Sequence, residues 1–177
     1  MNLYVVRHGE TIWNLEKRVQ GITDIPLTEV GIKSAEDLQE LVSSLNIDIV
    51  ISSPLSRARD TAKILVDSKL PINTDDRIKE RDWGMNEGAL ISEVDRWDCW
   101  DVILNTKVQN IECIQDFMYR VSLFIEEIKE KYKDKNVLVV THSAVIRVIH
   151  YMLGSIPEDG NLSRINIPNL RIIEYKI

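Results

Sequence analysis

Short apolar runs alternate with stretches of helically spaced apolar positions, and this alternation constrains the chain more than any other feature. Residues 3–6 read as a buried first strand that runs into the loop Arg7-His8-Gly9. Thr28 suits an N-cap, and Ala35, Leu38, Leu41, Val42 and Leu45 behind it recur as one helical face. Residues 47–51 read as a second strand. Ser53 and Pro54 then read as an N-cap and first helical position, with Ala58, Ala62, Leu65 and Val66 as the core face. A short third strand is expected near residues 71–74. Ile114, Phe117, Val121, Phe124, Ile128 and Tyr132 mark a long amphipathic helix, and residues 136–140 a fourth strand. Val145, Ile149, Met152 and Leu153 mark a last helix stopped by Gly154, and two short strands are expected near residues 163–167 and 170–175. Unbroken apolar strands separated by helices predict an α/β fold with a mainly parallel sheet covered on both faces.

Only residues 84–112 break the alternation. They carry Trp97 and Trp100, and Glu87, Glu93, Asp95, Asp98, Asp101 and Glu112 against Arg96 and Lys107. A stretch of that length without regular structure reads as a lid. Its tryptophans fit a substrate wall or a lid packed on the core equally well. With 177 residues, one domain spanning 1–177 with this insertion is expected.

In such sheets, ligands bind beyond the carboxyl ends of the strands. Those ends carry Arg7 and His8 after the first strand, Arg57 after the second, Glu80 after the third and His142 after the fourth. Two guanidiniums match the oxygens of a phosphate dianion. A neutral imidazole is a competent nucleophile toward phosphorus, and a protonated one donates to the equatorial oxygens where charge accumulates. A carboxyl group can protonate the leaving alkoxide. The set reads as suited to phosphoryl transfer through a phosphohistidine, with no metal and no other cofactor expected. Arg57 in a first helical turn is unfavourable for the helix dipole unless an anion sits there.

The net charge of 22 − 28 = −6 argues against a sequence-independent grip on nucleic acid or anionic lipid. No run approaches the roughly 18 apolar residues of a membrane span, and the start lacks a signal-peptide pattern. Cys99 and Cys113 lack metal-type spacing, so a cytoplasmic location is expected. His150 reads as a partly buried helix residue, and Arg59, Arg81 and Arg147 as surface or supporting groups, with Arg81 also a candidate for touching substrate.

Four ordered segments resemble the histidine phosphatase superfamily, in its phosphoglycerate mutase-like branch. They are Val6-Arg7-His8-Gly9-Glu10-Thr11-Ile12-Trp13-Asn14, continued by Gln20-Gly21 through Gly31; Ser52-Ser53-Pro54-Leu55-Ser56-Arg57; Glu80-Arg81-Asp82-Trp83-Gly84 with Glu87-Gly88; and Val140-Thr141-His142-Ser143-Ala144-Val145-Ile146-Arg147. The resemblance spans residues 3–153 outside the insertion. It implies a three-layer α/β/α sandwich whose mainly parallel sheet has an antiparallel C-terminal edge, and no metal cofactor. By position, His8 would be the phosphorylated nucleophile, Arg7, Arg57 and His142 would hold the phosphoryl group, and Glu80 would be the proton donor and base. Thr11, Asn14, Gln20, Gly21, Arg81 and Ser143 would contribute to substrate binding.

Mutases of this family are longer and carry a basic Arg-Arg segment after the third motif, which this chain lacks. Glu80-Arg81 resembles the mutase form of that motif, and Glu87-Gly88 the phosphatase form. The expectation is therefore a phosphomonoester hydrolase, with phosphoglycerate mutase as the alternative and an inactive phosphoester-binding or interaction module as a third reading. Its partner would be a small phosphorylated metabolite; ribazole phosphate, phosphoglycerates and sugar phosphates are the classes the resemblance suggests. A homodimer is compatible with the family. Ser143-Ala144 stand where glycines are commoner, so a side chain there either crowds the site or adds a hydroxyl donor.

Overall fold

The computed structural model describes residues 1–94, 98–108 and 110–177. Five strands, β1 (Asn2–Arg7), β2 (Ile49–Ser52), β3 (Ile72–Thr74), β4 (Asn136–Thr141) and β5 (Ile172–Lys176), form one sheet in the order β3-β2-β4-β1-β5. The pairs β2·β3, β2·β4 and β1·β4 are parallel, and β5 joins β1 antiparallel. The mixed sheet with its antiparallel edge is thus the one expected.

Side-chain alternation along the strands sorts the core into two layers. Tyr4 and Val6 of β1, Val50 of β2, and Leu138 and Val140 of β4 face α2 (Glu29–Glu36), α3 (Gln39–Ser44) and α4 (Ser56–Leu65). Leu3, Val5, Ile51, Val137 and Val139 face α5 (Ile114–Lys131) and α6 (Ser143–Leu153). The stripe Ile114, Phe117, Val121, Phe124, Ile125 and Ile128 is buried along α5 as its spacing requires. Each such side chain contributes about 1.5–3 kcal/mol on burial. The short helix α1 (Ile12–Leu15) sits just beyond β1, capped by Thr11.

Three expected boundaries differ. The helix behind Thr28 is two helices, with a break at Asp37–Leu38. Ser53 and Pro54 do not start α4: Leu55 occupies the N-cap without a side-chain cap, and Arg57 still falls in the first turn. Residues 163–167 form no strand. Leu162–Arg164 is a 3-10 turn, and the carbonyls of Ile165 and Ile167 accept from Arg147 Nε (2.9 Å) and Arg7 Nη1 (2.7 Å) rather than from a strand neighbour.

Within the insertion, 3-10 turns occupy Gly84–Asn86 and Asp98–Trp100, and isolated bridges join Leu90 to Arg18 and Asp101 to Asn161. Trp100 is buried and packs on Trp83, with ring centroids 5.9 Å apart. Trp97, Asp95 and Arg96 lie outside the described residues.

Candidate active site

Strand register brings the two motif histidines together. Arg7 pairs with Thr141, so β1 and β4 end level, and the His8 N–H donates to the Thr141 carbonyl at 2.9 Å. The imidazoles of His8 and His142 lie 5.2 Å apart, centroid to centroid. Ser52 of β2 is level with Val140. Ser53 therefore lies beside His142, whose Nε2 is 2.8 Å from the Ser53 hydroxyl. The Ser-Pro pair that resembles a helix cap in sequence is a histidine support instead.

His8 Nδ1 is 2.7 Å from the Gly9 carbonyl. A carbonyl only accepts, so Nδ1 carries the proton and Nε2 keeps its lone pair. Burial, then the charges of Arg57 and Arg7, hold the His8 pKa well below the usual imidazole range. The same burial, then Arg57, His8 and Arg7, lower that of His142. Both rings are neutral at pH 7 without an anion beside them.

Arg57 is fully buried, although Arg residues almost never are unless paired. Its Nη1 and Nη2 donate to the carbonyls of Thr23 (2.8 Å) and Gly21 (2.7 Å). The loop bearing those carbonyls is fixed by Glu87, which accepts from the N–H groups of Ile22 (2.9 Å), Thr23 (2.8 Å) and Trp83 (3.1 Å) and from the Thr23 hydroxyl. Gly21 has φ +54°, and a Cβ there would fall on the Glu87 carboxylate, so both turn and contact require glycine. Arg7 is lowered to about 10, chiefly by burial, with Glu80 opposing the shift.

Among the described residues, the buried side-chain polar atoms without a hydrogen-bond partner are Arg7 Nε, Arg57 Nε, His142 Nδ1 and Gln20 Oε1. Unpaired buried groups cost about 1–3 kcal/mol each, and three of these four, on Arg7, Arg57 and Gln20, belong to residues that line one cavity. Arg7, His8, Asn14, Gln20, Gly21, Arg57, Glu80 and Ser143 line one cavity of about 100 Å3, the size of a small oxyanion. Asn14 Oδ1 accepts from the Thr11 N–H (3.0 Å), the Thr11 hydroxyl (3.1 Å) and Asn169 Nδ2 (3.3 Å), which leaves its NH2 for the cavity.

Glu80 is nearly buried. Its Oε1 accepts from the Arg81 N–H at 2.9 Å, and its Oε2 from the Ser143 hydroxyl (3.3 Å) and the Ala144 N–H (3.4 Å). Ser143 thus adds a hydroxyl donor aimed at the carboxylate. Three residues named as substrate-binding are placed off the cavity wall, and His142 is one of them, fully buried between His8 and the Ser53 hydroxyl. Thr11 is fully buried as the cap of α1 and orients Asn14. Arg81 donates to the carbonyls of Glu112 (Nε 2.9 Å, Nη2 2.7 Å) and Cys99 (Nη1 2.7 Å), between the rings of Trp83 and Trp100, so it anchors the insertion.

Sequence reasoning missed several contributors. Asn169 Nδ2 donates to the carbonyls of His8 (2.8 Å) and Gly9 (3.2 Å), bracing the nucleophile loop from the far end of the chain. Arg18, Trp83, Ile91 and Arg147 complete the wall. A larger cavity of about 750 Å3 adjoins it, sharing Ile91, Trp100 and Arg147. Trp83 and Arg147 stand within the third and fourth motif segments, but no motif or periodicity marks Arg18, Ile91 or Asn169, which reach the site through the fold.

The site defines a class: an α/β protein whose strand ends bring two arginines, two imidazoles and a carboxyl group together around a small cavity. The family model of the histidine phosphatase superfamily (branch 1) matches residues 3–177, and the chain belongs to that superfamily. It is a phosphatase/phosphoglycerate mutase-like enzyme. The uncharacterized phosphatase PhoE of Bacillus subtilis (strain 168) is 34% identical over 177 residues, covering 97% of this chain and 89% of its own. The probable phosphoglycerate mutase GpmB of Yersinia pestis (strain Pestoides F) is 41% identical over 102 residues, 55% of this chain and 47% of its own length. Among solved structures, Bacillus stearothermophilus YhfR superposes with a TM-score of 0.86 at 29% identity, covering 99% of this chain and 91% of its own. No described helix is long and apolar enough to cross a membrane.

Proposed function

We propose that this chain hydrolyses small phosphomonoesters through a phosphohistidine on His8. The observation that carries the reading is the small cavity lined by Arg7, Arg57 and His8, where the Nε of each arginine lacks a partner, Nε2 of His8 keeps its lone pair, and the His142 ring lies 5.2 Å from that of His8. The phosphoryl group sits between the arginines, and its charge draws a proton onto His142. Nε2 of His8 attacks phosphorus as the P–O ester bond breaks, and Glu80 gives its proton to the leaving alkoxide. Water, deprotonated by the Glu80 carboxylate, then attacks the phosphohistidine, releasing inorganic phosphate and restoring His8.

Hydrolysis rather than mutase chemistry is favoured because the insertion is short and acidic, and the match to a full-length phosphatase relative covers 97% of the chain. The 41% identity to a probable phosphoglycerate mutase over 102 residues keeps interconversion of 2- and 3-phosphoglycerate as the second reading. The test is phosphate release from a phosphoester panel that includes 3-phosphoglycerate and p-nitrophenyl phosphate, in EDTA. Wild type is expected to release phosphate and His8→Ala to lose about 10⁴-fold or more. Interconversion of phosphoglycerates with little free phosphate would establish the mutase reading instead.

A further inference from the structure

Resting on the assignment of Glu80 as the acid, we infer that Arg120 is a positioning residue for that carboxyl group, and that Glu112 makes the seating of the insertion part of the same device. Glu80 lies on neither a helix nor a strand. It follows the Asp76–Ile78 turn in a loop whose backbone would otherwise be free to shift. Arg120 projects from the edge of the buried stripe of α5, its guanidinium carbon 4.6 Å from the centre of the Phe117 ring.

All five N–H donors of Arg120 are used. Nη1 donates to the carbonyls of Arg77 (2.6 Å) and Lys79 (2.8 Å), and Nη2 to the carbonyl of Glu80 itself (3.0 Å). Nε and the second Nη2 proton grip the Glu112 carboxylate at 2.7 and 3.0 Å. Glu112, where the insertion ends, also accepts from the Asp82 N–H (3.2 Å) and donates its own N–H to the Asp82 carbonyl (2.9 Å). One guanidinium–carboxylate pair therefore clamps the backbone on both sides of the acid. The planar fork is what allows this: an ammonium group has three donors and no fixed plane. The sequence offers no sign of the pair, because Arg120 lies 40 residues from the acid and outside every motif.

The test separates positioning from general support by leaving-group dependence. A p-nitrophenolate leaves without a proton, whereas an alkoxide needs one, so only the alkyl ester depends on a well-aimed acid. The kcat/KM of p-nitrophenyl phosphate and of the best alkyl phosphate from the panel, which reports the steps up to loss of the alcohol and not the later hydrolysis of the phosphohistidine, is measured for wild type, R120K, E112Q and E80Q, with the affinity for inorganic phosphate as the check that the phosphoryl site is intact. Misplacing a catalytic group by about 1 Å costs about 10²-fold. R120K and E112Q are accordingly expected to lose about 10²-fold on the alkyl ester and less than about threefold on p-nitrophenyl phosphate, with phosphate affinity unchanged. E80Q should show the same pattern more strongly. Equal losses on both esters, or none on either, in the two clamp variants would overturn the positioning role. An E80Q variant without leaving-group dependence would instead overturn the acid assignment beneath it. E112Q keeps Arg120 on its three carbonyls, so it answers independently if R120K does not fold.

Discussion

The two histidines titrate against their surroundings. In the folded chain both resist protonation, because burial and the neighbouring arginines disfavour the imidazolium; in the unfolded chain both take up protons near the ordinary value of about 6.5. The unfolded state thus binds more protons below that value, and stability falls as pH drops from about 6.5 toward the depressed folded-state values. The loss approaches about 1.4 kcal/mol per pH unit for each histidine. Urea midpoints at pH 7 and pH 5 should differ by a smaller amount in His142→Asn than in wild type, once each is referred to its own value at pH 7. An unchanged difference would mean that His142 is protonated in the folded protein. Asp48, lowered by the Asn136 N–H, and Asp75, lowered by Arg77 against its burial, titrate below pH 5 and stay charged throughout that comparison.

His8, His142, Arg7, Arg57 and Glu80 are legible in the sequence because each falls at a strand's carboxyl end or in the connection that follows it, where side chains of the sheet converge. Their supports are not. Ser53 reads as a helix cap by every local rule, and its hydroxyl turns to His142 because β2 and β4 end in register. A local rule cannot weigh a partner 89 residues away.

At the scale of elements, the long apolar stripes of α5 and α6 and the unbroken runs of β1 and β4 were predictable, since burial on one face or two dictates period. Residues 163–167 do not form the expected strand. Their carbonyls are instead committed to Arg7 and Arg147, which lock the connection across the strand ends. The loop at Gly21 shows how one element serves another. Glu87 shapes it, and its carbonyls hold Arg57. Gly21→Ala forces a left-handed turn on a side chain and displaces Glu87, at a cost of about 1–3 kcal/mol. We expect its thermal midpoint to fall and its KM for phosphoesters to rise while the α-helical circular dichroism signal is retained. A variant with wild-type KM would show that the loop does not govern Arg57.

At the scale of the molecule, the parallel sheet sets the histidines and arginines side by side, the two helical layers bury its faces, and the insertion with the C-terminal connection walls the site. The first two are written in hydrophobic periodicity. The walls are written in long-range hydrogen bonds of Arg81, Arg120, Glu112 and Asn169, which carry no periodic signature. The central claim is that this assembly makes His8 a phosphoryl acceptor. Its most direct test is to quench the reaction in alkali within the first turnover, digest the protein, and weigh the peptide that contains residue 8. The account predicts one acid-labile phosphoryl group on His8 that appears before phosphate is released and is absent from His8→Ala. Turnover of substrate with no such label, or with the label on another residue, would contradict it.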